Sequence, residues 1–164
     1  MLPEILTDKV LLRIVENTDA ENIHKLRTNP IVSKFIKRDL NKSISDIENF
    51  IEERKITDYF FAIMTLDSNE FAGTIAIWNI NEEEKYAELG YELLPNFQGK
   101  GLMSNAISNI VHFAFNNLDF KTLEAFTDKS NINSRKLLEK LGFEHQQNRL
   151  DEKNGDNVIY QIKK

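Results

Sequence analysis

The fold is decided by residues 93–103, which read LLPNFQGKGLM. A predicted strand ends before Pro95, a loop with Gly99 and Gly101 follows, and the longest predicted helix begins at Met103. Glycines let the backbone approach a ligand closely and turn successive N–H groups toward one anion. The first turn of a helix adds free N–H donors and the positive end of its dipole. The stretch therefore predicts an anion-binding loop between a strand and a helix.

The charges around this loop support the same interpretation. Helices usually carry acids in their first turn, yet no acid lies between Glu92 and Asp119, and Lys100 adds a positive charge. The loop lacks the Gly-Lys-Ser/Thr ending of a P-loop and the third glycine of a dinucleotide-binding fingerprint. A bare Gly-x-Gly also fits an ordinary strand-to-helix turn, so the motif alone leaves both interpretations open.

Outward from the loop, hydrophobic periodicity predicts strands alternating with helices. The order is strand, two helices, three meandering strands, helix, strand, helix and strand, which is typical of a mixed sheet with helices on its faces. A capping box is expected from Ser45 to Glu48 at the start of the second helix, and Gly142 closes the last one. The predicted strands cover 10–15, 59–66, 71–80, 86–94, 122–127 and 158–162, and the helices include 20–27, 103–118 and 134–141.

Composition bounds the class of protein. With 164 residues and no linker or repeat, the chain is expected to form one domain over 1–164. The net charge of 21 − 26 = −5 argues against nucleic-acid binding and mildly favours amine-bearing partners. The absence of cysteine excludes disulfides and cysteine nucleophiles.

Further absences narrow the expectations on metals, membranes and location. The histidines His24, His112 and His145 are too far apart in sequence for a local metal site, so no metal is expected. The acidic N-terminal stretch does not resemble a signal peptide. The longest stretch without a charged residue, 101–118, is too polar for a membrane span. We therefore expect a cytoplasmic protein that binds neither membrane nor nucleic acid, as a monomer or homodimer.

Two separated blocks of sequence resemble the general-control N-acetyltransferase (GNAT) superfamily. The first block is AELGYEL at 87–93, Pro95, and QGKGLM at 98–103; the second is NINSRKLLEKLGF at 131–143. Both are most similar to the ribosomal-protein N-terminal acetyltransferase-like branch. The resemblance covers essentially 10–162 and implies a three-layer α/β/α fold around a mixed, centrally splayed β-sheet.

The resemblance also implies acetyl-CoA as co-substrate and a set of residues that bind it. The loop would bind the pyrophosphate through backbone N–H groups, and the end of the preceding strand would pair with the pantetheine arm after a bulge at Gly90. Asn131 corresponds to the asparagine that holds the pantetheine amide, while Asn133, Arg135 and Lys136 could approach the outer phosphates. The implied cofactor-binding residues are Leu93, Leu94, Gln98, Gly99, Lys100, Gly101, Leu102, Met103, Ser104, Asn131, Asn133 and Lys136.

Amide formation needs a neutral amine, so a general base is expected near the splay. Strand parity puts Glu88 and Glu92 on one face of their strand. Glu92 is the first candidate because it lies nearest the splay, Glu88 the second, and Glu124 on the next strand the third. Ser134 corresponds to the serine that protonates the leaving thiolate in this branch, although a capping role for it is equally compatible. With no cysteine, direct transfer in a ternary complex is the expected route.

The acceptor implied by the resemblance is a primary amine, first of all the N-terminus of a protein or peptide, including ribosomal proteins. A small amine, such as a polyamine, an aminoglycoside or an amino acid, is the close alternative. A non-catalytic CoA-binding module and a protein that binds another nucleotide also remain open. The segment 145–157 would line the acceptor site. Large aromatic side chains are expected in the core, namely Phe60, Phe61, Trp78, Phe113 and Phe115.

Overall fold

The computed structural model describes residues 4–164 and contains one mixed sheet with helices on both faces. The strands are β1 (Ile5–Leu6), β2 (Val10–Ile14), β3 (Tyr59–Thr65), β4 (Phe71–Asn81), β5 (Tyr86–Leu93), β6 (Thr122–Asp128), β7 (Glu144–His145) and β8 (Asn157–Lys163). The helices are α1 (Ala20–Thr28), α2 (Ile44–Thr57), α3 (Leu102–Asn116) and α4 (Ile132–Lys140). The first three residues of the expected domain, 1–3, lie outside the described part.

The sheet order is β1-β2-β3-β4-β5-β6-β8-β7. Neighbouring strands pair antiparallel except for β5 and β6, which run parallel. Parallel pairing covers only Tyr86–Glu88 against Thr122–Glu124, although β5 continues to Leu93 and β6 to Asp128. The two strands therefore separate beyond Glu88 and Glu124, and the expected central splay is confirmed.

Two hydrophobic clusters lie on opposite faces of the sheet. The alternation along β3 divides its residues between them, with Phe61 on one face and Phe60 on the other. The α3/α4 face holds Ile107, Ile110 and Leu138, whereas the α1/α2 face holds residues such as Ile23, Leu26, Ile47 and Ile51. Side chains alternate between the two faces of each strand, and each helix buries one apolar stripe. The helices therefore cover both faces of the sheet, which gives three layers.

The predicted elements are found within a few residues, with two corrections at their ends. The capping box of α2 is formed by Ser43 and Asp46, so it begins two residues before the expected Ser45. The sequence contains two overlapping Ser-x-x-acid patterns, and the one that starts at Ser43 forms the cap. The Ser43 hydroxyl accepts the Asp46 N–H at 3.1 Å, and the Asp46 carboxylate accepts the Ser43 N–H at 2.8 Å. The short edge strands β1 and β7, of two residues each, were too short to show periodicity.

The bulge expected at Gly90 lies elsewhere. Gly90 pairs regularly with Ala76, and the register shifts instead between Trp78 and Asn81 on β4. Asn79 in that segment has a φ of +47°, a left-handed conformation that asparagine adopts more easily than most residues. The irregularity therefore sits on the partner strand, where an asparagine can accommodate it.

Candidate active site

The loop after β5 presents a row of unused backbone N–H groups. Gly99 and Gly101 have φ of +74° and +75°, and Gly101 is the N-cap of α3. Among residues 4–164, no acceptor contacts the N–H groups of residues 99–104. No acid lies in the first turn of α3, so the positive end of the helix dipole is uncompensated. The loop has the donors, the charge and the missing Cβ atoms that an oxygen-rich anion requires.

Side chains brace this loop from outside. Gln98 Nε2 donates to the Leu93 carbonyl at 2.9 Å, and Lys9 Nζ approaches the Lys100 carbonyl at 3.4 Å. The Lys100 ammonium lies 5.6 Å from the Phe97 ring centroid, so it stays close to the loop. The Met103 side chain is buried in the core, which leaves its backbone N–H as the group available to a ligand.

The residues that lead into the loop are partly engaged inside the protein. Leu93 is buried on the α3/α4 face, and its carbonyl is held by Gln98. The Leu94 N–H donates to the Ala72 carbonyl at 2.8 Å, toward β4. On the other side of β5, from Leu89 onward, no strand of the described chain pairs with it. The splay therefore exposes the β6-facing backbone edge of β5, where an extended ligand could bind.

The start of α4 lies across the splay from β5. Asn131 is the N-cap, and its Oδ1 accepts the Ser134 N–H at 3.2 Å. The Ser134 hydroxyl is therefore not the capping group, and its Oγ lies 2.8 Å from the Tyr91 hydroxyl. Burial raises the pKa of Tyr91 to about 12, so this hydroxyl stays protonated at neutral pH. The pair forms a connected source of hydroxyl protons on the α3/α4 face.

The remaining predicted residues at the starts of α3 and α4 divide into exposed and occupied groups. Ser104 on α3 and Asn133 and Lys136 on α4 have side chains at least partly open to solvent. Arg135 instead turns inward, donating through Nε to the Tyr160 hydroxyl at 3.2 Å and through Nη1 to the Lys129 carbonyl at 3.0 Å. Leu138 is fully buried, so no hydroxyl group is available at that position.

Glu88 lies on the opposite, α1/α2 face at the last paired residue before the splay. Asn79 Nδ2 donates to its Oε1 at 2.6 Å, and the Tyr86 hydroxyl is 3.5 Å from the same oxygen. Burial raises the pKa of the Glu88 carboxyl, and the hydrogen bond from Asn79 offsets only part of this effect. A carboxylate with a raised pKa is a better proton acceptor than an ordinary glutamate.

Glu124 is the register partner of Glu88 on β6, and its surroundings are opposite in character. Its carboxylate is buried and ion-paired with Arg149, and it accepts from Gln161 at 2.7 Å and from the Tyr86 hydroxyl at 3.0 Å. Burial alone would raise its pKa, but these hydrogen bonds together hold the pKa below the ordinary value. Glu124 is thus a saturated, ionised group beside the less satisfied Glu88.

Glu92 lies two residues beyond Gly90 on β5, and its carboxylate is held by two arginines. Its carboxylate pairs with Arg38, and Arg27 Nη1 lies 3.6 Å from its Oε2. Burial, with the nearby Arg38 charge, lowers the pKa of Arg27 to about 10. Two guanidinium groups therefore surround this one carboxylate at the end of β5.

Trp78 corrects the expectation that the aromatic residues are core. Phe60, Phe61, Phe113 and Phe115 are buried, but Trp78 is only half-buried and belongs to neither hydrophobic cluster. It pairs in register with Glu88 on the α1/α2 face. Ile77 packs in the α3/α4 core, so the next residue along the strand faces the opposite side. The alternation of the strand therefore predicts the orientation of Trp78, whereas its aromatic character alone does not.

Two loops meet above this face. Lys37, between α1 and α2, reaches Asn154 Oδ1 at 3.1 Å and Asp156 Oδ2 at 3.3 Å. Arg149 of the same segment pairs with Glu124, so the segment 145–157 contacts one of the three candidate glutamates. Several site residues carry no local sequence signal, because their partners are distant in the chain: Arg27, Arg38, Asn79, Tyr91 and Arg149.

No helix among residues 4–164 is long and apolar enough to cross a membrane. Within the same residues, no three His, Asp or Glu side chains come together as metal ligands.

The fold and site together define a protein in which a strand, followed by a loop of unused backbone N–H groups, splays from a parallel neighbour. A family model described as the Acetyltransferase (GNAT) domain matches residues 9–144. The chain is 30% identical over 152 residues to "Uncharacterized N-acetyltransferase YoaA" of Bacillus subtilis (strain 168), covering 88% of this chain and 84% of that one. The chain belongs to the GNAT acetyltransferase family and is an N-acetyltransferase.

Solved structures agree on the fold. Spermidine N-acetyltransferase from Vibrio cholerae, in complex with CoA and spermine, superposes with a TM-score of 0.84 at 22% identity, over 94% of this chain and 95% of that one. Ribosomal-protein-S5-alanine acetyltransferase from Vibrio fischeri superposes with a TM-score of 0.83 at 16% identity, over 99% and 97% of the two chains. Proteins named for a small amine and for a protein acceptor thus share this architecture.

Proposed function

We propose that this chain transfers the acetyl group of acetyl-CoA directly to the primary amine at the N-terminus of a protein or peptide. The observation that carries the proposal is the division of groups across β5. The N–H loop and the Tyr91–Ser134 hydroxyl pair lie toward one face, whereas the Glu88 carboxylate lies toward the other. A cofactor and an acceptor could therefore meet at the splay from opposite sides.

The loop supports acetyl-CoA as the co-substrate. The N–H groups of residues 99–104 have no acceptor within the described chain, and a Cβ on Gly99 would meet no atom within 4 Å, so the loop is open at Gly99. Acetyl-CoA would supply an acetyl thioester, which is activated toward attack by an amine. We assign the pantetheine arm to the free edge of β5 and to the Asn131 amide, and the outer phosphates to Asn133 and Lys136. We assign the removal of a proton from the acceptor amine and the delivery of a proton to the leaving thiolate to side chains, without a metal ion.

We assign the general base to Glu88. Its raised pKa and its place at the apex of the splay support proton transfer from the acceptor ammonium to its carboxylate, directly or through one water. Glu92, the first candidate from sequence, is paired with Arg27 and Arg38. Those pairs support a positioning role for Glu92 in fixing the two guanidinium groups.

We assign proton donation to Ser134. Its hydroxyl would protonate the departing thiolate, and the Tyr91 hydroxyl at 2.8 Å would replace that proton. Leu138 offers no alternative proton donor on the same helix. Since a thiol of ordinary pKa near 8.5 is already a fair leaving group at neutral pH, this assistance is expected to be modest.

A small polyamine is the second candidate acceptor. The similarity to the spermidine enzyme from Vibrio cholerae favours it, and so does the Glu88 carboxylate at the last paired residue before the splay. The experiment that separates the candidates is an assay of released CoA thiol with acetyl-CoA and either a hexapeptide with a free N-terminal alanine or spermidine. We expect the larger kcat/KM with the peptide; a larger value with spermidine would replace the proposed acceptor.

The role of Glu88 is tested by Glu88→Gln, with Glu92→Gln as the matched variant. We expect Glu88→Gln to lower kcat about 100-fold at pH 7, the lower end of general-base effects. The deficit should shrink above about pH 8, where a free α-amine deprotonates by itself. Glu92→Gln should show no such rescue at high pH. A rescued deficit in Glu92→Gln instead of Glu88→Gln would make Glu92 the base.

The stability of Glu88→Gln gives an independent check. Because the folded-state pKa of Glu88 is raised, its contribution to stability is present at low pH, where it is protonated, and is lost as pH rises through that pKa. The neutral glutamine avoids this loss. At pH 7 the variant should therefore melt no lower than the wild type, so its loss of activity would not reflect unfolding.

A further inference from the structure

The backbone conformation of Gly90 does not explain why this position is a glycine. It pairs regularly with Ala76, and it is not among the glycines with positive φ. A Cβ built on Gly90 would lie 3.4 Å from Trp78 Nε1 and 3.7 Å from Trp78 Cδ1, with no other atom of the described residues within 4 Å. The absent side chain thus leaves an open space whose nearest wall is the edge of an indole ring.

The indole edge carries a hydrogen-bond donor without a partner. The Trp78 N–H has no acceptor among residues 4–164, and it does not belong to the buried unpartnered polar atoms there. It is therefore open to solvent and available to donate to a ligand. Trp78 also borders a cleft of about 740 Å³ between the end of α2 and β4, a size in the range of ligand clefts. The donor therefore lies between an open cleft and the space above Gly90.

This space lies between the two glutamates on the α1/α2 face. We call it the Gly90 slot, formed by Glu88, Gly90, Glu92 and Trp78. Alternate residues of a strand share a face, so Glu88 and Glu92 are about 13 Å apart along β5 at 3.3 Å per residue. An acceptor in the slot would have the proposed base at one end and the arginine-bound Glu92 at the other.

The charges around the slot distinguish acceptors. Beyond Glu88 the nearby ionised groups are Arg27 and Arg38 around Glu92, and Arg54, whose guanidinium is paired with Asp58 and lies 5.4 Å from the Trp78 ring centroid. Glu92 and Asp58 are already paired with these three arginines, and Glu124 is paired with Arg149. Glu88 is thus the one carboxylate of this set without an arginine partner, which leaves no second carboxylate for a further ammonium group of a polyamine. A peptide has one ammonium, followed by neutral amide groups whose carbonyls can accept the indole N–H.

We propose that the Gly90 slot selects a peptide acceptor: the first residue lies over Gly90, its amine beside Glu88, and the Trp78 N–H donates to its carbonyl oxygen. This inference rests on the proposed function and makes Trp78 a specificity-determining residue. Gly90 is required because any side chain would occupy the place of the acceptor backbone.

The kinetic test uses Trp78→Phe and Gly90→Ala with the alanine hexapeptide and spermidine. Trp78→Phe keeps an aromatic wall but removes the donor, so we expect KM for the peptide to rise about 5- to 10-fold with kcat within threefold. KM for spermidine, which has no carbonyl, should stay unchanged. Gly90→Ala fills the slot and should raise KM for both acceptors. An unchanged peptide KM in Trp78→Phe, or an equal rise for spermidine, would overturn the assignment.

One control variant matches these changes. Tyr59→Phe removes a hydroxyl from the same cleft without touching Gly90, and it should keep the wild-type KM for the peptide. The melting temperature and the Kd for acetyl-CoA of all three variants should match the wild type, which excludes misfolding as the cause.

A binding measurement separates failure of this inference from failure of the proposed function. Trp78 is the single tryptophan of the chain, so its fluorescence reports on the slot without any turnover. With CoA present, we expect the alanine hexapeptide to shift or quench the emission, and its N-acetylated form, which has no amine for Glu88, to do so at least tenfold more weakly. If turnover is absent with both acceptors, the proposed function fails. If the peptide leaves the Trp78 emission unchanged, the slot assignment fails.

Discussion

The two sides of the splay present different kinds of chemical group. On the loop side, the donors are backbone N–H groups at residues 99–104, placed by two glycines with positive φ. On the α1/α2 face, the groups are the side chains of Glu88, Glu92, Glu124 and Trp78, each oriented by residues from other elements. A cofactor site made of backbone tolerates many side chains, whereas an acceptor site made of side chains changes with each of them.

The largest effect on the loop side is expected from Gly99→Val. A β-branched residue is strained at φ of +74°, so the loop should change conformation and its N–H groups should no longer converge. We expect the Kd for acetyl-CoA, measured by calorimetry, to rise about 10- to 30-fold, equivalent to roughly 1.4–2 kcal/mol. The acceptor side should be unaffected, so peptide KM at saturating acetyl-CoA should not change.

Gly99→Asn is the matched variant, because asparagine adopts positive φ at lower cost. It should retain most of the affinity if backbone conformation is what matters. An equal loss in both variants would mean that the ligand needs the space of the missing side chain. Wild-type affinity in Gly99→Val would contradict the assignment of this loop to the cofactor.

This contrast explains how far the sequence could predict the molecule. The fold and the loop were predictable because strand and helix periods, the Gly99–Gly101 spacing and the Asn131 block are local patterns. The position of Glu88 and Glu92 on one face also followed from parity. By contrast, the ion pairs of Glu92 with Arg27 and Arg38, and of Glu124 with Arg149, join distant segments. Which glutamate is buried and which is paired therefore follows from tertiary packing alone.

Trp78 and Gly90 illustrate the same limit at single positions. Aromaticity suggested a core residue and glycine suggested a bulge, since those are the commonest reasons for these residue types in a strand. The bulge lies at Asn79 instead, and it aims the Asn79 amide at Glu88. Local propensity indicated that this strand pair contains an irregularity, but it did not predict which of the two strands would carry it.

An intermediate effect is expected from Ser134→Ala, at the boundary between the two sides. Loss of the hydroxyl should lower kcat roughly tenfold, below the usual range for acid catalysis because the thiolate is a fair leaving group. Asn131 still caps α4 through the Ser134 N–H, so the Kd for acetyl-CoA and the melting temperature should be kept.

Tyr91→Phe and Ser108→Ala complete that experiment. Tyr91→Phe should show a smaller loss of kcat, because the Ser134 hydroxyl remains. Ser108 is an exposed serine of α3, and its replacement should leave kcat unchanged. If Tyr91→Phe is the more damaging of the two hydroxyl deletions, the tyrosine is the direct proton donor and Ser134 orients it.

The smallest effect is expected from Arg149→Ala, which tests whether the acceptor face depends on distant side-chain pairs. The buried Glu124 carboxylate keeps its bonds from Gln161 and Tyr86, so the loss should be about 1–2 kcal/mol, or roughly 3–6 °C in melting temperature. Glu124 has a lowered pKa, so its stabilising contribution is present at neutral pH and is lost as pH falls through the folded-state pKa. The difference from wild type should therefore be largest near pH 7 and shrink in acid. Arg149→Lys should recover part of it, since one hydrogen-bonding cation replaces a forked one; a difference independent of pH would place the role of Arg149 in packing of the 145–157 segment instead.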